Sequence, residues 1–103
     1  MKIAIGLTFF VVAGIASATP VSPATRADLS PATTNACLKR QLTEPANAGI
    51  HPAKIHQYCN CVGEETVNQM TQEAADYVER TGDPKPLLNA TMYAYKACVP
   101  SLV

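Results

Sequence analysis

The chain has no tryptophan, and aromatic residues make up only 6% of its 103 positions. Charged residues make up 16%, with eight Lys and Arg against eight Asp and Glu, so neither sign is in excess. Each shortage excludes something. A protein that grips nucleic acid needs a basic stripe to displace counterions from phosphate, and none is present. A polybasic membrane contact is excluded on the same ground. Histidine occurs only as His51 and His56. No G-x-S-x-G, H-E-x-x-H, glycine-rich phosphate loop or C-x-x-C-H haem site occurs. Outside the first 18 residues there is no alternating β-branched run of strand length.

What is present begins with a leader. Residues 1–18 read MKIAIGLTFFVVAGIASA. Lys2 provides a positive start, Ile3 to Ile15 an apolar stretch, and Ala16-Ser17-Ala18 an A-x-A cleavage signal. The apolar stretch is short of the about 20 residues a spanning helix needs, and small residues rather than basic ones follow it. This pattern predicts a cleaved signal peptide, a secreted or periplasmic mature chain, and no stable membrane insertion after cleavage. Without Lys2 the mature chain carries seven basic against eight acidic side chains, a net charge of −1.

Export decides how the four cysteines are read. In an oxidising compartment an even count predicts disulfides rather than a metal site or free thiols. A core this small rarely supplies more than about 3–5 kcal/mol unaided, so covalent staples are expected.

The rest of the chain reads as helices. Residues 19–30 carry two prolines, small hydroxylated residues and no apolar period, which predicts a flexible N-terminal arm. A helical disulfide domain is expected over residues 31–103. Ser30-Pro31 is a cap followed by a first-turn proline, with Leu38 and Leu42 marking the inner face. Glu44-Pro45 ends that helix and Asn47-Ala48-Gly49 turns the chain. His51-Pro52 opens a second helix with Ile55, Cys59, Val62, Thr66 and Met70 at helical spacing. Thr71 caps a third over Gln72 to Thr81, with Ala74, Ala75 and Val78 facing in and Gly82 as its stop. Asp83-Pro84 starts a fourth, carrying Leu88, Met92, Tyr95 and Val99 inward, and Pro100 ends it. The fold class is therefore all-α: a small four-helix, disulfide-stapled domain behind a cleaved signal peptide.

Cys37, Cys59, Cys61 and Cys98 allow three pairings. Two residues apart on a helix, Cys59 and Cys61 point about 200° away from each other. A bond between them would break the helix, so each must reach a different neighbour. An antiparallel hairpin of the first two helices sets Cys37 opposite Cys59. That favours Cys37–Cys59 with Cys61–Cys98 over Cys37–Cys61 with Cys59–Cys98. The Tyr58-Cys59-x-Cys61 segment between outlying cysteines resembles a set of small exported bacterial helical proteins carrying YCxC. The resemblance covers Cys37 to Cys98. It implies a helical disulfide domain and supplies no activity, ligand or catalytic residue.

Four places carry residue types with candidate chemistry. His51, His56, Cys59 and Cys61 have metal-ligand types, but a closed zinc site needs all four to converge, and Cys61 looks away. A C-x-C redox pair needs an exposed thiol of low pKa; Cys59 lies two turns into its helix with Glu64 and Glu65 nearby. Glu64-Glu65 reads as a solvated helix face. Asn89-Ala90-Thr91 is a glycosylation sequon within the expected fourth helix. No enzyme, metal or cofactor is expected from these residues. Tyr58, Tyr77 and Tyr93 fall off or at the edge of the inward stripes and mark a candidate partner surface, since tyrosine is favoured at interfaces. The functional expectation is a non-enzymatic, exported, helical protein-binding module, immunity- or inhibitor-like in its specific form, whose partner is another exported or envelope protein. The alternatives are a carrier of a metal ion or small apolar ligand, and a thiol-disulfide active protein.

Overall fold

The computed structural model describes residues 19–102; the expected signal peptide over residues 1–18 lies outside the described residues. Four α-helices follow one another: α1 (Pro23–Leu42), α2 (Pro52–Asn68), α3 (Gln72–Thr81) and α4 (Lys85–Cys98). Short 3-10 turns occupy Pro45–Asn47 and Val99–Leu102. No strand occurs among the described residues, only an isolated bridge between Pro20 and Thr71.

The caps show why three of these helices start where the local sequence says. His51 Nδ1 accepts the Ala53 backbone N–H at 3.0 Å, with Pro52 in the first turn, which opens α2. Thr71 Oγ1 accepts from the Ala74 N–H at 3.1 Å to open α3. Gly82, at φ 75°, closes α3 in the left-handed region that glycine enters without steric cost. The Lys85 N–H donates to Asp83 Oδ1 at 3.1 Å beneath α4.

The first helix departs from expectation. It starts at Pro23, capped by Ser22, whose Oγ accepts from the Thr25 N–H at 3.2 Å. Ser30-Pro31, expected as the cap, lies in the helix interior. Residues 23–30, expected within a flexible arm, form the first turns of α1. Both sites are Ser-Pro dipeptides, so local chemistry does not choose between them. Distant tethers do. The Ser22 N–H donates to Gln72 Oε1 at 2.7 Å, the Gln72 N–H to the Thr19 carbonyl at 2.8 Å, and Ser30 Oγ to Glu64 Oε2 at 2.8 Å. Arg26 spans Glu64 and Asn68 at 3.0 and 2.7 Å. Val21 is buried with Val67, Met70, Ala75 and Ala90.

α2 is the shared element. Ile55, Tyr58, Cys59, Val62, Gly63, Thr66 and Val67 are all buried, an arc too wide for one neighbour. α1 packs along one side of that arc and α4 along the other, while α1 and α4 make little contact with each other. α3 rests on α4. Cys37 is bonded to Cys59 (Cα–Cα 5.5 Å) and Cys61 to Cys98 (5.8 Å). One core cluster surrounds these bonds with Ile55, Tyr58, Val62 and Ala94; the other gathers where α1, α2, α3 and α4 meet.

The fourth helix is rotated relative to its expected face. Ala90, Ala94 and Cys98 are the buried row, whereas Leu88, Met92 and Val99 are 55%, 60% and 51% exposed. Small residues at i, i+4 and i+8 let α4 approach α2 closely enough for the Cys61–Cys98 bond, and that turns the larger side chains outward. Leu42, expected inward beside Leu38, is also exposed. The α-helix ends at Cys98, two residues before Pro100, and the chain continues as a 3-10 turn over Val99–Leu102.

The closest approach of α1 to α2 depends on Gly63. A Cβ there would overlap Thr34 Oγ1 and stand 2.8 Å from the Ser30 carbonyl oxygen. Gly63→Ala should therefore lower the free energy of unfolding by about 1–3 kcal/mol, even though alanine is the better helix former. Urea denaturation measures it. Adding Thr34→Ala should return only part of the loss, because the Ser30 carbonyl stays in place. A Gly63→Ala protein as stable as the wild type would contradict this packing.

Candidate functional site

Because α1 and α4 flank α2 without closing on each other, a groove runs between them. On α1 it is walled by Leu29, Ala32, Thr33, Ala36 and Arg40, and on α4 by Leu87, Leu88, Thr91, Met92 and Tyr95. The space amounts to about 480 Å³, and Cys37 lies at its base. Leu29 and Leu87 also border a second depression of about 340 Å³, which continues the groove toward α3 past Met70, Ala75 and Val78. The two form one apolar channel. Leu29 faces Leu87 where they join, and both α1 and α4 run from there toward Arg40 and Tyr95, so the two walls are parallel helices.

Its ends differ in charge. Asp28 from α1 and Asp76 and Glu79 from α3 border the α3 end. Arg40 borders the other, in the last turn of α1, and Lys96 follows Tyr95 on α4. Arg40 is exposed, and its guanidinium has no carboxylate partner among the described residues. Asp76 Oδ1 accepts from Gln72 Nε2 at 2.8 Å. The remaining polarity is slight, since Thr91 Oγ1 is satisfied by donating to the Leu87 carbonyl at 2.8 Å. Such a channel can bury apolar side chains and orient a charged occupant. It presents no nucleophile with an adjacent base.

The three tyrosines expected to mark a partner surface do not come together. Tyr58 is a core residue, 7% exposed and stacked on Tyr95 with ring centroids 6.0 Å apart. It was misplaced because α2 is buried over a wider arc than its single stripe implied. Tyr77 is exposed, but its hydroxyl donates to Asp83 Oδ2 at 2.8 Å and Arg80 lies 5.8 Å from its ring centre, so it braces the α3–α4 link. Tyr93 is exposed on a different side of α4, beside Pro86 and Asn89. The residues that border the groove were missed. Leu88 and Met92 read as inward residues from the sequence, and Ala32, Ala36 and Arg40 carry no local signal. Only the unusual run of alanines at helical spacing on α4 could have revealed which face turns out.

The other candidates resolve into structural roles. All four cysteines are bonded, and Cys37, Cys59 and Cys98 are almost fully buried. His51 is a helix cap, and among the described residues no group of three or more His, Cys, Asp and Glu could hold a metal ion. Glu64 is engaged by Arg26 and Ser30 and belongs to the α1–α2 seam. Asn89 is exposed on α4. No described helix is long and apolar enough to cross a membrane.

Burial pushes the Tyr58 hydroxyl above its ordinary pKa of 10.0, with the neighbouring Tyr95 adding to the effect. The folded protein thus favours neutral Tyr58 more than the unfolded chain does. That preference is intact below pH 10 and is lost as pH climbs through the raised folded value. Unfolding free energy should accordingly fall above about pH 10, and Tyr58→Phe should flatten the fall while changing stability at pH 7 only modestly. Urea titrations at pH 7, 9, 10 and 11 test the pair; identical alkaline slopes would remove Tyr58 as the cause.

No family model, no curated protein and no solved structure matches this chain.

Proposed function

We propose that the protein is an exported, non-catalytic binding module that docks another exported or envelope protein through the α1–α4 groove. The observation that carries this reading is the exposure of Leu88 and Met92 along an apolar channel whose two ends are charged. Large side chains left in water beside a groove are a cost to a small domain unless something covers them. Helix-in-groove recognition is the general mode such a surface suits, with apolar anchors seated between two helices and charges fixing direction. Two disulfides fit an oxidising compartment, which agrees with the leader-like first 18 residues. An immunity- or inhibitor-like protein, covering the surface of an exported enzyme or toxin, is one form of this module.

A second reading is favoured by one observation. The groove exceeds the roughly 300 Å³ typical of the smallest ligand sites, so a small apolar molecule fits within it. The open length of the channel favours the protein partner, because an apolar molecule lying there would keep one side in water. Thiol-disulfide activity has less support, since exchange needs an attackable sulfur and three of the four bonded cysteines, Cys37, Cys59 and Cys98, are almost fully buried.

The test is recovery of partners from the cell envelope with the tagged, exported protein. Wild type should retain a specific protein that both Met92→Asp and Leu88→Asp lose, at unchanged helicity by circular dichroism, with affinity lowered at least tenfold for each. Equal recovery by wild type and both variants would place docking elsewhere. An apolar fluorescent probe displaced by no protein, yet bound by wild type and not by Met92→Asp, would favour the carrier.

A further inference from the structure

The geometry points to a second copy of this chain as an occupant of the groove, paired in antiparallel register about a two-fold axis. This rests on the reading that the groove is a docking face. The argument comes from where its charges lie. Asp28, Asp76 and Glu79 border one end and Arg40 the other, so the channel is acidic at its α3 end and basic at the opposite end. Asp28 and Arg40 are both on α1, about 18 Å apart at 1.5 Å per residue.

A surface with one acidic and one basic end is complementary to itself when turned end for end. A two-fold axis lying in the plane of the face, across the direction of α1, does this. It sets α1 against the partner copy's α1 in the opposite direction, and each Arg40 then meets the acidic end of the other chain. The alternative axis, along α1, would bring acid against acid and is disfavoured. A closed two-fold pair is also the commonest way that identical chains associate.

Shape agrees with charge. Leu88 and Met92 stand out from the α4 wall, while Ala32 and Ala36 on the α1 wall leave room. With α4 set against the other copy's α4, Leu88 and Met92 pack against their own counterparts, while Ala32 and Ala36 let the two α1 helices approach. The exposed apolar rim is covered without a foreign partner.

Size sets the strength. The α1 wall from Ala24 to Arg40 is about 24 Å long, and two helices side by side are about 20 Å wide. That is below the roughly 800 Å² per partner of a standard interface, which places the pair among weak, reversible associations. A weak pair can give way to a tighter partner at the same face.

Sedimentation equilibrium on the purified, oxidised, exported protein, from about 1 µM to about 1 mM, decides the matter. The mass should rise from one chain to two, with the midpoint moving to higher concentration between 50 mM and 500 mM salt, as screening requires. Met92→Asp should hold the protein at one chain throughout. Arg40→Glu should weaken pairing on the order of tenfold, and Arg40→Glu with Asp28→Arg should restore it, because the swapped charges again face each other. A single chain at every concentration overturns the inference, and so does a pair indifferent to both Met92→Asp and Arg40→Glu. The two readings fail separately. A protein that never pairs but still recovers an envelope protein through Met92 loses only self-association. One that pairs through Met92 and recovers nothing loses only the foreign partner.

Discussion

Two sulfur atoms, leaving α2 in nearly opposite directions, organise this domain. Cys59 reaches back 22 residues to Cys37 on α1, and Cys61 reaches forward 37 residues to Cys98 on α4. In the chain-entropy view, closing loops of these lengths is worth about 3–4 kcal/mol per bond. That is comparable to all that the core of so small a domain supplies. The bonds also fix geometry. Because Cys59 and Cys61 project about 200° apart, the helices they hold must stand on different sides of α2. Gly63 then lets α1 close onto α2, and Ala90 and Ala94 let α4 do the same. The open channel between α1 and α4 is a consequence of that clamping.

Where local chemistry decides, the sequence was legible. The caps at His51 and Thr71, the stop at Gly82 and the helical character of the segments from Pro31 onward all follow from residues within a few positions of each other. What could not be read were features set at long range. The start of α1 depends on Ser22, Arg26 and Ser30 finding Gln72, Glu64 and Asn68, partners 34 to 50 residues away. A proline-containing stretch without apolar period gives no sign of such tethers. It therefore read as an arm, although Pro31 is accommodated within a continuing helix.

The face of α4 was misread for a related reason. Leucine and methionine weigh more than alanine in any apolar pattern, so Leu88 and Met92 looked like core. Close helix approach reverses that preference, because only a small side chain permits the Cα separation that a disulfide needs. The same misreading hid the candidate site. With Leu88 and Met92 inside, no large apolar side chain would line a groove, and the tyrosines would be the main aromatic surface. Tyr58 then appears to be surface because its helix was credited with one neighbour rather than two. Only the rotation of α4 brings Leu88 and Met92 to the groove.

The arrangement of all four helices depends on which cysteines are joined. Asn60 alone separates Cys59 from Cys61, so partial reduction followed by cyanylation and cleavage is the direct measurement on the unfolded, oxidised chain. It should release fragments that show Cys37 joined to Cys59 and Cys61 joined to Cys98. Cys59 joined to Cys98 would exchange the sides of α2 on which α1 and α4 are held, and neither the rotation of α4 nor the groove derived from it would survive.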